Sequence, residues 1–354
     1  MSRFQTKGYP WSHGIGTDVT DCTTWRECME KAALNFHVEK CNLVAKMPFN
    51  LNTNNYLSED SFAYGGNVYR ELDGAYATYR TDLDIPLGLV KQRYEVIQNE
   101  DAFSFFDDAI GKDKAQWQDA GYFGQGHKIF ITAKLPTTIE VNGKDPIENY
   151  LVFSNSHDGS SSINIMFTPI RVFCTNCLNS ALRSADSCIR IKHTRTAKER
   201  LEQSSRILKI ACEYAETTKL LYDSLAAVSV SDQKVQEYIC RLILSDDELI
   251  NVYQHGGNNP WEKAISGNWY VKNKADLSTR KINQLANIWT YYLDGPGQDR
   301  ILGTAWGAYN SITGYYSNVA NLEGSKRMDS LIWGNGNAVM LKALNAAVEL
   351  AEAV

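Results

Sequence analysis

The chain has 354 residues and a formal net charge of −5, with 44% hydrophobic and 22% charged residues, the balance of an ordinary folded protein and not of a disordered one. A negative net charge excludes a protein that coats nucleic acid over its whole surface, so any nucleic-acid site must be a local basic patch. No run reaches the roughly 20 apolar residues of a membrane-spanning helix. No N-terminal stretch joins a basic start to an apolar core, so the eight cysteines are expected to be reduced thiols in a cytoplasm, with no membrane partner.

Periodicity divides the chain into three tracts, 1–75, 76–193 and 194–354. The first opens with "GYPWSHGIGTDV", rich in glycine and aromatics and without a period, which reads as a loop packed on the core. Thr20 or Asp21 is placed to cap a short helix carrying Trp25, Cys28, Met29 and Ala32. "FHVEKCNLVA" reads as extended, and the asparagine-rich "NLNTNNYLSEDS" as a surface loop.

The second tract is β-rich. "AYATYRT" and "GLVKQRYEVIQ" are strand candidates. Asn99 starts a helix with Glu100 and Asp101 in its first turn and Phe103, Phe106 and Ile110 on one face. "HKIFITAKL", "NYLVFSNS" and "SINIMFTPIRVF" supply three more strands, and "CTNCLNSALRSA" turns helical. The order β-β-α-β-β-β-α predicts an α+β core on an antiparallel sheet.

The third tract is helical. Thr196 and Glu199 match a capping box, followed by an apolar repeat through Leu201, Leu208, Ala211, Ala215, Tyr222 and Leu225. Further helices are expected at "SDQKVQEYICRLIL", "STRKINQLANIWTYYL", "GTAWGAYNSITGYYS" and "NAVMLKALNAAVELAEAV".

Chemistry-bearing residues concentrate around 155–209. His157 and Asp158 are sequence neighbours, so they can act as a base and its orienting carboxylate only if a turn folds one onto the other. The Gly159-Ser160-Ser161 that follows says turn, and the bland reading is a hairpin in which Asp158 bonds backbone amides and His157 is a local anchor. Cys174 and Cys177 match half of a zinc site, but no second C-x-x-C or H-x-x-x-H completes it, so no metal is expected. There is no phosphate-binding glycine loop and no complete dinucleotide fingerprint, so no cofactor is expected.

The strongest charge feature runs from Arg183 to Lys209, where eight Lys or Arg stand against three acids. "IRIKHTR" alternates Ile189 and Ile191 with Arg190 and Lys192, so a strand there shows a basic face and an apolar face. A stripe of this kind can hold a phosphate backbone, or it can be a solvated face paired with acidic helices.

"PWSHGIGT", "RYEVIQNEDAFSFFD", "SNSHDGSSSINIMFTPIRVFCTNCLNSAL", "IRIKHT" and "GTAWGAYNSITGYY", in this order, resemble the phage/plasmid-like protein family, a domain of unknown function carried by phages, plasmids and other mobile elements. That resemblance covers nearly the whole chain and implies no established activity. The element order also resembles the core of the phage single-strand annealing recombinases of the RecT, Redβ and Erf types, in which a long hairpin and a helix form a groove for DNA and subunits assemble in rings. The likeness is one of element order alone.

Three functional expectations follow. The first is single-stranded DNA binding in recombination, strand annealing or replication, by Arg183, Arg190, Lys192, His193, Arg195, Lys198 and Arg200 with Arg171, Lys91 and Arg93. Tyr76, Tyr79 and Tyr94 are the candidate stacking platforms, and replication or recombination proteins of host or phage, or further copies of the chain, are the expected partners. The second is a protein-interaction or host-counter-defence factor that binds no nucleic acid. The third is a hydrolase using His157, Asp158 and His13.

Overall fold

The computed structural model describes residues 4–11, 15–48, 61–110, 116–172, 176–177, 188–204, 208–256 and 277–353. The fold is α+β, with antiparallel sheets followed by a helical C-terminal half. Seven strands form the main sheet: β1 (Thr17–Asp18), β6 (Gln116–Phe123), β7 (Lys128–Val141), β8 (Asp145–Ser156), β9 (Ile163–Arg171), β10 (Asn176–Cys177) and β11 (Cys188–Ile191). Their order is β1-β6-β7-β8-β9, with β10 and β11 sharing the outer edge of β9.

Both faces of this sheet are covered, and so both alternating sets of strand residues are apolar. On one face Ile129, Ile131, Ala133, Leu151 and Phe153 pack with Phe103, Phe105 and Phe106 of the helix Asn99–Ile110. On the other, Phe130, Tyr150, Val152 and Ile170 meet Trp11 and, from the C-terminal end, Met328, Leu331, Ile332 and Met340. The aperiodic N-terminal segment is therefore packed, with Trp11 fully buried and Arg327 donating to the carbonyls of Gly8 and Tyr9.

The β7–β8 hairpin breaks register between Lys134 and Thr138, where Pro136 has no N–H to give a ladder. Beyond this bulge the hairpin stays paired, and Ile139, Val141 and Ile147 pack into the helical core, among Tyr222, Leu225, Trp306 and Tyr309. The helix Ala305–Gly314 lies at the centre of that core, every residue buried.

A second sheet holds β2 (Val38–Pro48), β3 (Ser61–Tyr64), β4 (Asn67–Arg80) and β5 (Ile85–Lys91), in the order β2-β4-β3 with β5 also on β4. Strand β4 continues without interruption through residue 75. Its register on β2 shifts between Asn42 and Val44, where Gly74 takes a φ of +72° that residues with a side chain rarely adopt. The far end of this ribbon is exposed, including Phe62 and Tyr64.

Several elements differ from expectation. The first helix, Trp25–Lys31, is capped by Thr24 with Glu27 closing the box, not by Thr20 or Asp21, because Asp18 engages Thr20 and Asp21 engages Lys31. Strand β5 stops at Lys91, short of the extended run to residue 98. Asn176 and Cys177 pair with β9 as a strand, not as part of a helix, while most of "CTNCLNSALRSA" lies outside the described residues.

Candidate functional site

Strand β8 ends in the His157-Asp158-Gly159 turn. The backbone amides of His157 and Asp158 both donate to the His127 carbonyl, at 2.8 and 3.3 Å. The Asp158 carboxylate accepts from Ser156 Oγ at 2.5 Å and from the Ser160 amide at 2.9 Å. Burial works to raise this carboxyl, but the bonds from Ser156 and Ser160 outweigh it and hold it below the usual carboxylate range. The second sheet closes on the turn, with Thr78 Oγ1 donating to the His157 carbonyl at 2.7 Å. Gly88 lies so close that a Cβ there would stand 2.3 Å from the Asp158 carbonyl oxygen.

His157 is wholly buried. Asn99 Nδ2 donates to the Leu34 carbonyl, so Asn99 Oδ1 is the acceptor facing His157 Nε2 at 2.8 Å. The proton therefore sits on Nε2, leaving Nδ1 a bare acceptor, buried and without a partner among the described residues. His193 is the mirror case: Nδ1 donates to the Glu95 carbonyl at 3.0 Å, and the buried Nε2 has no partner among the described residues. Burial, with His193 adding a smaller push, lowers His157 to about 3, and burial lowers His193 as well. Both rings are neutral acceptors locked in the interior. Asp158 spends its hydrogen bonds on Ser156 and Ser160 instead of orienting the His157 ring, so the two do not form a base and its orienter. His13 lies outside the described residues.

The same histidines assemble a surface. The Glu95 amide donates to the His193 carbonyl, Tyr94 stacks on the His193 ring with centroids 4.5 Å apart, and Tyr94 Oη donates to the Ser156 carbonyl at 2.6 Å. These contacts lock the segment after β5 against the segment after β11. The segment that carries Lys91 and Arg93 is thereby held against the one that carries Lys192 and Arg195, with Arg190 on β11 and Lys198 and Arg200 on the helix Ala197–Ser204. All seven side chains are exposed. Among the described residues, only Lys198 of the seven forms an ion pair, with Asp101. Lys40, which sequence reading passed over, holds the seam from below by donating to the Gln92 and Tyr94 carbonyls. Its β2 position reaches this seam through strand pairing some 50 residues distant, and local sequence carries no signal of it.

Two expected members do not join this face. Arg171 is fully buried, its guanidinium bonded to Asp145 at 2.5 Å and to the Gly297 carbonyl at 2.7 Å. His193 is buried under Tyr94 and supports the seam from inside. Arg183 lies outside the described residues. Of the tyrosines, Tyr94 is consumed by His193, Lys40 covers Tyr76, and Tyr79 donates to Glu39. On the second sheet the open aromatic rings are instead Phe62, stacked on Tyr69, and Tyr64. Cys174 and the Cys177 side chain also lie outside the described residues, among which no group of three or more His, Cys, Asp or Glu is placed to hold a metal.

Fold and surface define an α+β protein on a seven-stranded antiparallel sheet, with a helical C-terminal half and a basic seam where its two sheets meet. The chain matches the domain of unknown function DUF932 over residues 86–344 and belongs to that family. No curated protein and no solved structure matches it. Among the described residues no helix is long and apolar enough to cross a membrane.

Proposed function

We propose that this chain binds single-stranded nucleic acid on the basic seam, in the recombination, annealing or replication of mobile elements such as phages and plasmids. The observation that carries the reading is the mutual locking of the 91–95 and 192–195 segments through Glu95, His193 and Tyr94. These segments, with β11 leading into the second, carry Lys91, Arg93, Arg190, Lys192 and Arg195, exposed and outside any ion pair among the described residues, in a chain whose net charge is −5. Cations spaced along a seam attract a phosphate backbone and release its counterions. Phe62 and Tyr64 on the exposed ribbon supply π faces for bases. Pairing of two strands requires no covalent chemistry, in keeping with a His157 that is buried and held by Asn99 instead of by Asp158.

The test is a salt titration of oligonucleotide affinity. Each phosphate contact contributes a log–log slope of about 0.7 on single strands, so replacing Arg190, Lys192 and Arg195 together by Ala flattens the slope by about 2. Equal slopes for the two proteins, or no binding at low salt, overturn the reading. A protein partner is the second reading, favoured by the apolar side chains that the ribbon exposes, Val44, Met47, Phe62 and Leu72 among them. It predicts affinity for that partner with no salt-dependent oligonucleotide binding.

A further inference from the structure

Beside the serine turn, on the face of the main sheet opposite Asn99, the structure holds a pocket that neither the seam nor the histidine pair uses. Its floor is Ser154 and Asn164, directly opposed on β8 and β9. Lys128 on β7 and Asp329 and Trp333 at the end of the helix Gly324–Ile332 make its sides, with Phe123 completing the wall. Asn164 is fixed by Nδ2 bonds to Ser154 Oγ, Ser161 Oγ and the Ser162 carbonyl. The run of serines after His157 thus serves to orient this amide.

Among the described residues three groups around the pocket lack partners, one buried and two at its solvent-facing end. Trp333 Nε1 is buried with no acceptor. Lys128 and Asp329 both line the cavity, and among the described residues neither forms an ion pair. Burial raises the Asp329 carboxyl, with Lys128 pulling it back. A buried donor left unmade is costly, and a cation and a carboxylate held apart in one cavity complement a ligand that has both a donor and an acceptor on one edge. A simple anion would meet Asp329, and a simple cation would meet Lys128. Two aromatic walls favour a planar ring. The cavity measures about 70 Å³, room for on the order of five waters at about 10–15 Å³ each, a size matched to one six-membered ring.

The pocket also adjoins the seam. Arg190 is the direct cross-strand partner of Asn164, so a strand whose phosphate rests on Arg190 passes beside the opening. We infer that the pocket seats one unstacked pyrimidine base of the bound strand. Asp329 accepts from an N–H of the base, the ring N–H of thymine or the amino group of cytosine, while Lys128 and the Trp333 indole donate to a carbonyl oxygen. The inference rests on the nucleic-acid reading of the seam and deepens it.

The test has two arms, using wild type, Lys128→Met and Asp329→Asn, both substituted side chains lying at the surface end of the pocket and checked for unchanged melting. In the first, thymidine and deoxycytidine alone are examined by saturation-transfer NMR. Contact in wild type that is lost in both variants supports the pocket. No contact in wild type, undiminished contact in the variants, or equal contact by deoxyadenosine overturns it. In the second, a short oligothymidylate is compared with an abasic strand of equal length. Wild type should prefer the oligothymidylate, and each variant should lose about tenfold of that preference, the size of one stacked base, while keeping the salt slope. Equal affinity of wild type for both strands overturns the pocket and leaves the seam standing. Nucleoside contact without oligonucleotide binding supports the pocket and removes the seam.

Discussion

Arg171 and Asp145 form an ion pair with both side chains out of solvent, and Trp306 Nε1 donates to the same Asp145 oxygen at 2.9 Å. The pair therefore joins the strand sheet to the central helix of the C-terminal half. Removing one member of a buried pair strands the other charge, at a cost of about 3–5 kcal/mol. Arg171→Ala should lower the urea midpoint accordingly, and Arg171→Met with Asp145→Asn should recover part of it. An Arg171→Ala protein of wild-type stability would show that the charge is not buried.

The histidine pair sets the acid limit of the fold. His157 has an ordinary value of 6.5 when unfolded and about 3 when folded, so between those values the unfolded chain binds a proton that the folded chain refuses. Stability is complete above about pH 6.5 and falls as the pH drops toward 3, by up to about 1.4 kcal/mol per pH unit for this residue. The lowered His193 adds in the same direction. Melting temperatures across this range should fall less steeply for His157→Gln than for wild type. Parallel curves would contradict the assignment.

Gly88 is where the second sheet meets the serine turn. A methyl group there would overlap the Asp158 backbone, and overpacking of this kind costs about 1–3 kcal/mol. Gly88→Ala should lower the denaturation midpoint and weaken the Thr78–His157 contact, visible as faster amide exchange at residues 157–160. An unchanged midpoint would mean that the two sheets are not seated on one another.

Within the seam, Lys198 already faces Asp101 at 3.1 Å, whereas Arg195 has no acidic neighbour among the described ion pairs. Arg195→Ala should flatten the salt slope by about 0.7, and Lys198→Ala by clearly less. Equal effects would show that the Asp101 pairing does not persist when a strand binds.

Much of this architecture was legible in the sequence where one period governs one face. The helices behind Ser231 and Ser278 carry both a cap and an apolar stripe, the helix with Phe103 and Phe106 an acidic first turn and an apolar face, and the β7 to β9 strands are dense in branched and aromatic residues. Strand β6, "QWQDAGYF", escaped because its register breaks after Trp117, and the helix Gly324–Ile332 because no side chain caps it. The basic residues of the seam were visible by count. Burial of Arg171 was not, since β9 is covered on both faces and alternation no longer marks an exposed side. The pocket was invisible because Lys128 and Asp329 meet only through the tertiary fold.

The bulge at Pro136 has a kinetic consequence. By sending Ile139, Val141 and Ile147 into the helical core, it makes the completion of that core depend on a hairpin formed more than 70 residues earlier in the chain than Tyr222. Loop closure over such separations precedes the contacts that reward it, and slows folding. The strands and the helices should consequently unfold in one transition, and a chain ended after residue 193 would leave three branched apolar side chains on a bare hairpin tip, ready to pair with its neighbours.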